Sequence, residues 1–270
     1  MTESDKVFTG SIPQIYDTFL VPLIFEAYAD DIAERIAALG PRMVLETAAG
    51  TGVVTRALAP RLAADARYVV TDLNNAMLDH AANMQGMDDR IAWRQADALQ
   101  MPFEDDSFDA VVCQFAVMFF PDKVAGYAET LRVLKPGGSF IFNVWDAIEA
   151  NEFSQAATEA AASVFPDDPP QFLARTPHGY HDVDLIRDEL AKAGFSQVSI
   201  TTLEKTSTAA SAHDAAYAYC QGTPLRNEIE SRGATLLDQV TERAAEAIAS
   251  RFGNATVSGK IRAYVVEAVV

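Results

Sequence analysis

Three acidic residues stand at equivalent places in the sequence, at the end of or directly after an apolar run. Glu46 ends one run, Asp72 ends the next, and Asp97 follows a third. The carboxyl ends of parallel strands meet at one edge of a sheet, and ligands of open α/β sheets bind there. Three carboxylates in register favour a ligand with hydroxyl and amino donors and positive charge. Each acid taken alone is typical of a solvated loop.

A glycine-rich turn separates the first acid from a helical pattern. Gly50 and Gly52 permit tight backbone angles and let a ligand touch the main chain. The spacing is close to the dinucleotide fingerprint G-x-G-x-x-G, but Thr55 stands where the third glycine is expected. A nicotinamide-dependent oxidoreductase is therefore one hypothesis, although a pyrophosphate is a poor neighbour for Glu46. A tight turn without a ligand is another.

The elements that must position these residues alternate between strand and helix. Near-continuous apolar strands joined by helical patterns are typical of a parallel sheet covered on both faces. The sequence predicts helices over 53–64, 75–84 and 122–134, and strands over 42–46, 68–72, 91–96, 109–115 and 139–145.

The segments on either side of this core follow a different pattern. A helical pattern from Ile12 to Leu39 is interrupted at Pro22. The rest of the chain predicts a proline-rich loop over 165–182, a strand over 196–204, and helices over 151–165, 183–193, 211–220 and 234–251. We expect one domain over 1–270, made of a helical cap (1–40), a core (41–145) and insertions that could roof the sheet (146–181 and 208–257).

Five blocks of the sequence resemble the class I S-adenosylmethionine-dependent methyltransferases, in particular the branch that includes ubiquinone and menaquinone biosynthesis methyltransferases. The blocks keep the family's order over about 100 residues: VLETAAGTG (44–52), VVTDLNNAML (69–78), ADALQMPF (96–103), FDAVVCQFAVMFFPD (108–122) and LRVLKPGGSF (131–140). The resemblance implies a Rossmann-like, seven-stranded, mostly parallel sheet whose last strand, IRAYVVEAVV, is antiparallel. It also implies methyl transfer from S-adenosyl-L-methionine to a small molecule, with S-adenosyl-L-homocysteine as product.

The resemblance also implies which residues hold this cofactor. The turn from Glu46 to Gly52 would cradle its methionine part, and Asp72 would hold the ribose hydroxyls. The remaining contacts would come from Leu73 and Met77 near the adenine, Asp97 at the adenine amino group with Ala98 beside it, and Gln114 and Phe115 on the methionine side.

Two further positions follow from the same comparison. The family usually has glycine where this chain has Ala48, and a methyl group disfavours positive φ there. We expect that the cofactor still binds, with a shifted loop. Lys135-Pro136-Gly137-Gly138 would form a turn before the fifth strand.

The acceptor side of the reaction is less defined. Methyl transfer from a sulfonium is an in-line displacement, so the protein mainly aligns the reacting atoms, with or without a general base. Weak catalytic candidates are Tyr16 and, in the loop TPHGYHD, His178 and Tyr180. The alternative is a half-buried core tyrosine for Tyr16 and solvent-exposed loop residues for the other two. No base is assigned.

Other polar and aromatic residues are less specific candidates for an acceptor pocket or a metal site. Trp145 and Asp146 follow the fifth strand and are candidates for the border of an acceptor pocket. His178 and His181 have a spacing that could hold a metal, but no third ligand is evident, so no metal site is expected. Because no base is identifiable, a non-catalytic S-adenosylmethionine-binding protein stays an alternative.

Composition limits the partners. The 270 residues carry a net charge of −17, which disfavours nucleic-acid phosphates and anionic lipids as partners. Two isolated cysteines do not predict a disulfide framework. No signal-peptide pattern is visible, and the longest apolar stretch, 110–120, is too short to span a bilayer. We expect a cytoplasmic protein with a small-molecule acceptor, no nucleic-acid partner and no membrane span; its oligomeric state is open.

Overall fold

A seven-stranded sheet forms the centre of the part of the chain that the computed structural model describes, residues 12–233 and 235–270. Residues 1–11, which begin the expected cap, and Ala234, which begins one expected helix, lie outside the described residues. The strand order is β3-β2-β1-β4-β5-β7-β6. The strands are β1 (Met43–Glu46), β2 (Arg67–Asp72), β3 (Ile91–Gln95), β4 (Phe108–Gln114), β5 (Leu134–Trp145), β6 (Gln197–Ala209) and β7 (Val257–Val269).

Helices flank this sheet. They are α1 (Ile12–Ile15), a π-helical segment (Tyr16–Phe25), α2 (Glu26–Ala38), α3 (Val53–Leu58), α4 (Asn75–Gln85), α5 (Lys123–Val133), α6 (Glu152–Val164), α7 (Phe172–Arg175), α8 (Val183–Ala193), α9 (Ala212–Gln221), α10 (Leu225–Arg232) and α11 (Leu237–Phe252). Across the described ranges, no helix combines the length and the apolar character that crossing a membrane would need.

The sheet is mostly parallel. β1 lies between β2 and β4 and pairs with both in parallel, and β3 and β5 extend the same pattern. β7 runs the other way along β5, because the Gly137 N–H donates to the Val270 carbonyl at 3.2 Å while the Asp146 N–H donates to the Arg262 carbonyl at 3.0 Å. The expected mostly parallel sheet with an antiparallel last strand is confirmed.

The chain divides into two compact units. Unit 1 comprises residues up to Phe25, Trp145–Tyr180 and Leu203–Ala263, and unit 2 comprises Glu26–Val144, His181–Thr202 and Tyr264–Val270. In unit 2, β1 and β4 supply a fully buried apolar centre that includes Val44, Leu45 and Val111. In unit 1, buried alanines let α6, α9 and α11 pack closely, among them Ala157, Ala216 and Ala244. The expectation of a single domain stays a prediction.

Several element boundaries differ from the sequence-based expectation. The helix predicted over 53–64 ends at Leu58 and continues as a 3₁₀ turn, Ala59–Arg61, because Pro60 has no N–H to donate. The helical pattern from Ile12 to Leu39 is interrupted around Pro22, as expected, by the π-helical segment that separates α1 from α2. The loop predicted over 165–182 contains the short α7, and α10 has no counterpart in the predicted elements.

The turn expected before the fifth strand does not form as a separate element. Lys135 to Gly138 lie within β5, where the pairing with β4 shifts register between Phe108 and Ala110. Gly137 has a φ of 79°, which a glycine adopts without strain. The extra residues are therefore accommodated as an irregularity of the strand.

Candidate functional site

The turn after β1 is fixed by hydrogen bonds to the strands on both sides. The Thr47 N–H donates to the Val112 carbonyl of β4 at 3.0 Å, and the Ala49 N–H donates to the Thr71 carbonyl of β2 at 2.9 Å. Ala48 lies between them with a φ of 53°. The alanine thus adopts the left-handed conformation that disfavours a β-carbon.

Gly50 and Gly52 serve this turn in different ways. A β-carbon on Gly50 would meet no atom within 4 Å, so the space beside its backbone is open. A β-carbon on Gly52 would lie 2.9 Å from the Cβ of Ala81 in α4. Both have positive φ, 56° and 78°. Gly50 therefore leaves room for a ligand, whereas Gly52 allows the turn to pack against α4.

Asp72 links the end of β2 to the glycine turn. Its Oδ2 accepts the Gly50 N–H at 2.8 Å and its Oδ1 accepts the Asn74 N–H at 2.8 Å. Burial raises the pKa of this carboxyl, and the backbone donors Asn74, Gly50 and Leu73 act in the opposite direction. A carboxylate has about four acceptor positions, so three backbone donors leave room for a hydroxyl donor as well.

An apolar surface adjoins this carboxylate. Leu73 follows Asp72 directly and is 61% exposed, and Met77 on the first turn of α4 is half-buried. Gln95 of β3 donates from Nε2 to the Leu73 carbonyl at 2.8 Å, which holds the backbone of this segment. An exposed leucine with a fixed backbone is suited to contact a flat apolar group.

The segment after β3 lies beside the end of β2. The Ala96 N–H donates to the Asp72 carbonyl at 3.0 Å. Asp97 is exposed, and its Oδ1 accepts the Leu99 N–H at 2.9 Å, while Ala98 is half-buried. The structure thus brings the Asp97 segment to Asp72, and it brings Asp72 to the glycine turn.

On the other side of β1, β4 ends in a strained residue. Phe115 has a φ of 49°, and its N–H donates to the Asn143 side chain of β5 at 2.9 Å. Asn143 also donates to the Gln114 Oε1 at 3.4 Å, and Tyr28 of α2 packs edge-on against Phe115 at 5.2 Å. Sequence reasoning missed Asn143, although a polar residue inside the apolar run FIFNVW was a signal.

Glu46 is held by two hydroxyl groups that sequence reasoning also missed. It is 2% exposed, and its Oε2 accepts hydrogen bonds from Thr55 Oγ1 at 2.6 Å and from the Tyr68 hydroxyl. Burial raises the pKa of Glu46 to about 7, although these two hydrogen bonds act to lower it. No local pattern contains this contact, because it depends on the register of β2 against β1, in which Tyr68 pairs with Val44 and so lies on the same face of the sheet as Glu46.

The weak catalytic candidates all belong to unit 1. Tyr16 is half-buried, and its ring lies 5.2 Å from that of Phe25. His178 and Tyr180 are buried, at 4% and 6% exposure, so the alternative of solvent-exposed loop residues is wrong for both. His181 is exposed, unlike His178.

His178 lies in a buried hydrogen-bonded chain. Its Nδ1 is 2.8 Å from the Asp146 carbonyl and its Nε2 is 2.9 Å from Ser154 Oγ. A carbonyl only accepts, so Nδ1 carries a proton and donates it to the Asp146 carbonyl. Ser154 also bonds to buried Tyr219, whose pKa burial raises to about 12.

The residues after β5 are buried beside this chain. Trp145 is 5% exposed, and its ring lies 6.0 Å from that of His178. Asp146 is 3% exposed, and its Oδ2 pairs with Nε of Arg262 at 2.5 Å. The ion pair offsets part of the cost of removing the carboxylate from water. Asp146 therefore has a structural partner within unit 1.

Comparison with known proteins gives one family match. Residues 45–142, which contain every proposed cofactor contact, match the family described as a methyltransferase domain. A protein of Bacillus halodurans C-125 has a solved structure that covers 89% of this chain and 97% of its own, with a TM-score of 0.58 and 22% sequence identity. At 22% identity, the similarity to this structure supports a shared fold alone.

Two curated relatives align with part of the chain. A demethylmenaquinone methyltransferase of Clavibacter sepedonicus is 40% identical over 106 residues, which are 39% of this chain and 42% of the relative. A ubiquinone/menaquinone biosynthesis C-methyltransferase of Idiomarina loihiensis is 28% identical over 167 residues, which are 57% of this chain and 66% of the relative. The chain thus spans less than two thirds of either relative's length.

Proposed function

We infer the function from one premise, namely that through residues 45–142 this chain belongs to the class I S-adenosylmethionine-dependent methyltransferases. That family uses S-adenosyl-L-methionine as methyl donor and releases S-adenosyl-L-homocysteine. We propose that this chain transfers the methyl group to a small-molecule acceptor. The observation that carries the proposal is the link from the Gly50 N–H to Asp72 at 2.8 Å, with open space beside Gly50.

The residues at the sheet edge fit the cofactor. Asp72 would accept the ribose hydroxyls, because its oxygens keep acceptor capacity beyond their backbone donors. Leu73 and Met77 would contact the adenine, and Asp97 with Ala98 would meet its amino edge. The methionine part would lie along the turn from Glu46 to Gly52, closed by Gln114 and Phe115.

These residues would contribute positioning and electrostatics. The bound cofactor supplies an electrophilic methyl group on a positively charged sulfur. Holding that group in line with the acceptor is worth roughly 7–11 kcal/mol of the barrier. Asp72, together with Glu46 in its ionised form, adds negative charge at the site, which favours a cationic ligand over a pyrophosphate. Thr55, at the position of the third fingerprint glycine, donates to Glu46 and so belongs to this arrangement.

We propose quinone precursors as the first acceptors to test, because both curated relatives are named for quinone methylation.

We also propose how the chain is organised. It would form one methyltransferase domain with a cap (1–40), a cofactor core (41–145), and segments 146–181 and 208–257 that recognise the acceptor. His178 and Tyr180 are buried, which favours positioning over contact with the acceptor, and Tyr16 is the weak candidate that is half-exposed.

Calorimetric titration with S-adenosyl-L-homocysteine, with NAD as the comparison ligand, tests cofactor use. We expect binding of the former alone. Asp72→Ala should weaken it about ten- to a hundredfold, because hydrogen bonds to a charged group are worth about 1.5–3 kcal/mol. Asp79→Ala, an exposed aspartate on α4, is the matched control and should bind as the wild type does. Equal affinity in wild type and Asp72→Ala would contradict the ribose assignment.

Turnover needs a separate measurement. Formation of S-adenosyl-L-homocysteine with quinone precursors, phenols or thiols would support an enzyme and identify the acceptor class. Binding without turnover across such a panel would favour a non-catalytic S-adenosylmethionine-binding protein. NAD binding alone would contradict the proposal as a whole.

A further inference from the structure

Asn143 is a buried polar residue within the apolar part of β5. It is 0% exposed, and its neighbours Phe142 and Val144 are buried as completely. A side-chain amide in such a place costs stability unless its polar atoms find partners. Both polar atoms do, and the partners are Gln114, which ends β4, and Phe115, which follows it.

The orientation of this amide follows from its partners. The Phe115 N–H can only donate, so the side-chain atom 2.9 Å from it is Oδ1 of Asn143. Nδ2 therefore faces the other way, where it donates to Oε1 of Gln114 at 3.4 Å. The same Phe115 N–H also reaches the backbone carbonyl of Asn143 at 3.2 Å. Asn143 thus contacts the backbone of one residue and the side chain of the residue before it.

These contacts hold a backbone conformation that Phe115 disfavours. Its φ of 49° lies in the left-handed region, which is strained for a bulky residue with a β-carbon. Gln114 is the last residue of β4 to pair with β5, and it lies opposite Asn143. The Asn143 side chain therefore supplies an acceptor where the strand pairing ends. Strained backbone persists where the surrounding structure enforces it, and it is concentrated at ligand-binding sites.

The segment after β4 lies beside the glycine turn. The Thr47 N–H of that turn donates to the Val112 carbonyl of β4 at 3.0 Å. The Thr47 hydroxyl and the Ala116 N–H both form hydrogen bonds with the sulfur of Cys113. The turn after β1 and the segment after β4 are therefore neighbours at the carboxyl edge of the sheet, where ligands of open α/β sheets bind.

We propose that Asn143 is a positioning residue of the cofactor site, and that its amide holds Phe115 in the left-handed conformation in which segment 114–115 closes the methionine side. This inference rests on the proposed function. Without the amide, Phe115 relaxes towards an extended backbone, and only the molecules that keep the left-handed form bind the cofactor. The apparent dissociation constant then rises as that fraction of molecules falls. Asn143 itself needs no contact with the ligand.

The first test replaces the amide by an apolar group of similar volume. In Asn143→Leu the Phe115 N–H keeps its backbone acceptor, so no buried donor is left without a partner. We expect the affinity for S-adenosyl-L-homocysteine, measured by calorimetry, to fall about tenfold, as the cost of a left-handed residue with a β-carbon implies. Ser139→Ala, which removes another buried polar group of β5, is the matched control and should bind as the wild type does. Wild-type affinity in Asn143→Leu would overturn the proposal.

The second test separates positioning from a general structural role. Glycine adopts a φ of 49° without strain, so the Phe115→Gly background does not need the amide. In that background Asn143→Leu should lower the affinity by less than about twofold, whatever Phe115→Gly itself costs. If Asn143 only fills space in the core, the substitution should lower the affinity equally in both backgrounds, and that result would overturn the proposal.

A conservative variant provides the third test. At full burial the neutral form of an aspartic acid is favoured, and it accepts from Phe115 and donates to Gln114 as the amide does. Asn143→Asp, measured near about pH 6, should therefore bind within about threefold of the wild type. A loss as large as that expected of Asn143→Leu would contradict the role of the hydrogen bonds. This variant gives a result even if Asn143→Leu does not fold.

Failure of the proposed function has a different signature. A wild-type protein that does not bind S-adenosyl-L-homocysteine would overturn the methyltransferase proposal, and the inference with it. A wild-type protein that binds this ligand no more tightly than Asn143→Leu does would overturn the role of Asn143 alone.

Discussion

Ala48 carries backbone strain because a β-carbon occupies a left-handed position. Its φ of 53° costs an alanine about 1 kcal/mol relative to glycine. We expect Ala48→Gly to raise the free energy of unfolding by about 1 kcal/mol, measured by urea denaturation. Ala49→Gly is the matched control, since Ala49 lies outside the left-handed region, and it should lower the free energy by about 0.5–1 kcal/mol. Equal effects of the two substitutions would contradict the strain.

Residue types at the candidate site could be predicted from the sequence, but their hydrogen-bond partners could not. The position of Asp72 after a strand and of Gly50 in a turn follows from local pattern. The contacts of Thr55 and Tyr68 with Glu46 depend on which face each strand or helix presents to its neighbour. The support of Phe115 by Asn143 joins residues 28 positions apart, which strand register decides.

At the scale of elements, Gly52 sets the packing of the glycine turn against α4. Gly52→Ala combines a positive φ with a Cβ contact of 2.9 Å to Ala81, so we expect a loss of stability of about 1–3 kcal/mol beyond the backbone strain. Ala81→Gly in the same protein should recover most of that packing loss. Thermal or urea denaturation of the single and double variants measures both the loss of stability and its recovery.

Gly50→Ala is the matched control for that pair. It has the backbone strain, but its methyl group would meet open space. It should lose less stability than Gly52→Ala, and Ala81→Gly should not rescue it. Rescue of both glycine variants to the same extent would contradict a specific contact between Gly52 and α4.

The elements themselves were predictable where local pattern decides them. α8 has the predicted bounds, 183–193, because Asp182 caps its first turn and Gly194 follows its last. The irregular course of β5 near Gly137 depends on pairing with β4, which no local pattern contains. The π-helical segment around Pro22 likewise depends on how the surrounding structure accommodates a missing N–H.

At the scale of the whole molecule, acidic residues outnumber basic residues, and the net charge is −17. Most of these carboxylates are exposed and repel one another weakly across solvent. Glu46 differs because folding removes it from water together with two hydroxyl donors. Its contribution to global stability therefore depends on pH in a way that an exposed acid does not.

Folding raises the pKa of Glu46 from 4.5 to about 7, so the folded protein binds a proton that the unfolded chain has released between these pH values. The contribution of Glu46 to the free energy of unfolding is therefore fully present below pH 4.5. It falls by up to about 3 kcal/mol as the pH rises towards 7.

Glutamine resembles the neutral acid and accepts the same two hydroxyl donors. We expect Glu46→Gln, without ligand, to match the wild type in stability near about pH 4 and to exceed it by up to about 3 kcal/mol near pH 8. Urea denaturation across this range measures the difference, with exposed Glu104→Gln as control. A difference that does not grow with pH would mean that Glu46 titrates as an ordinary carboxyl group.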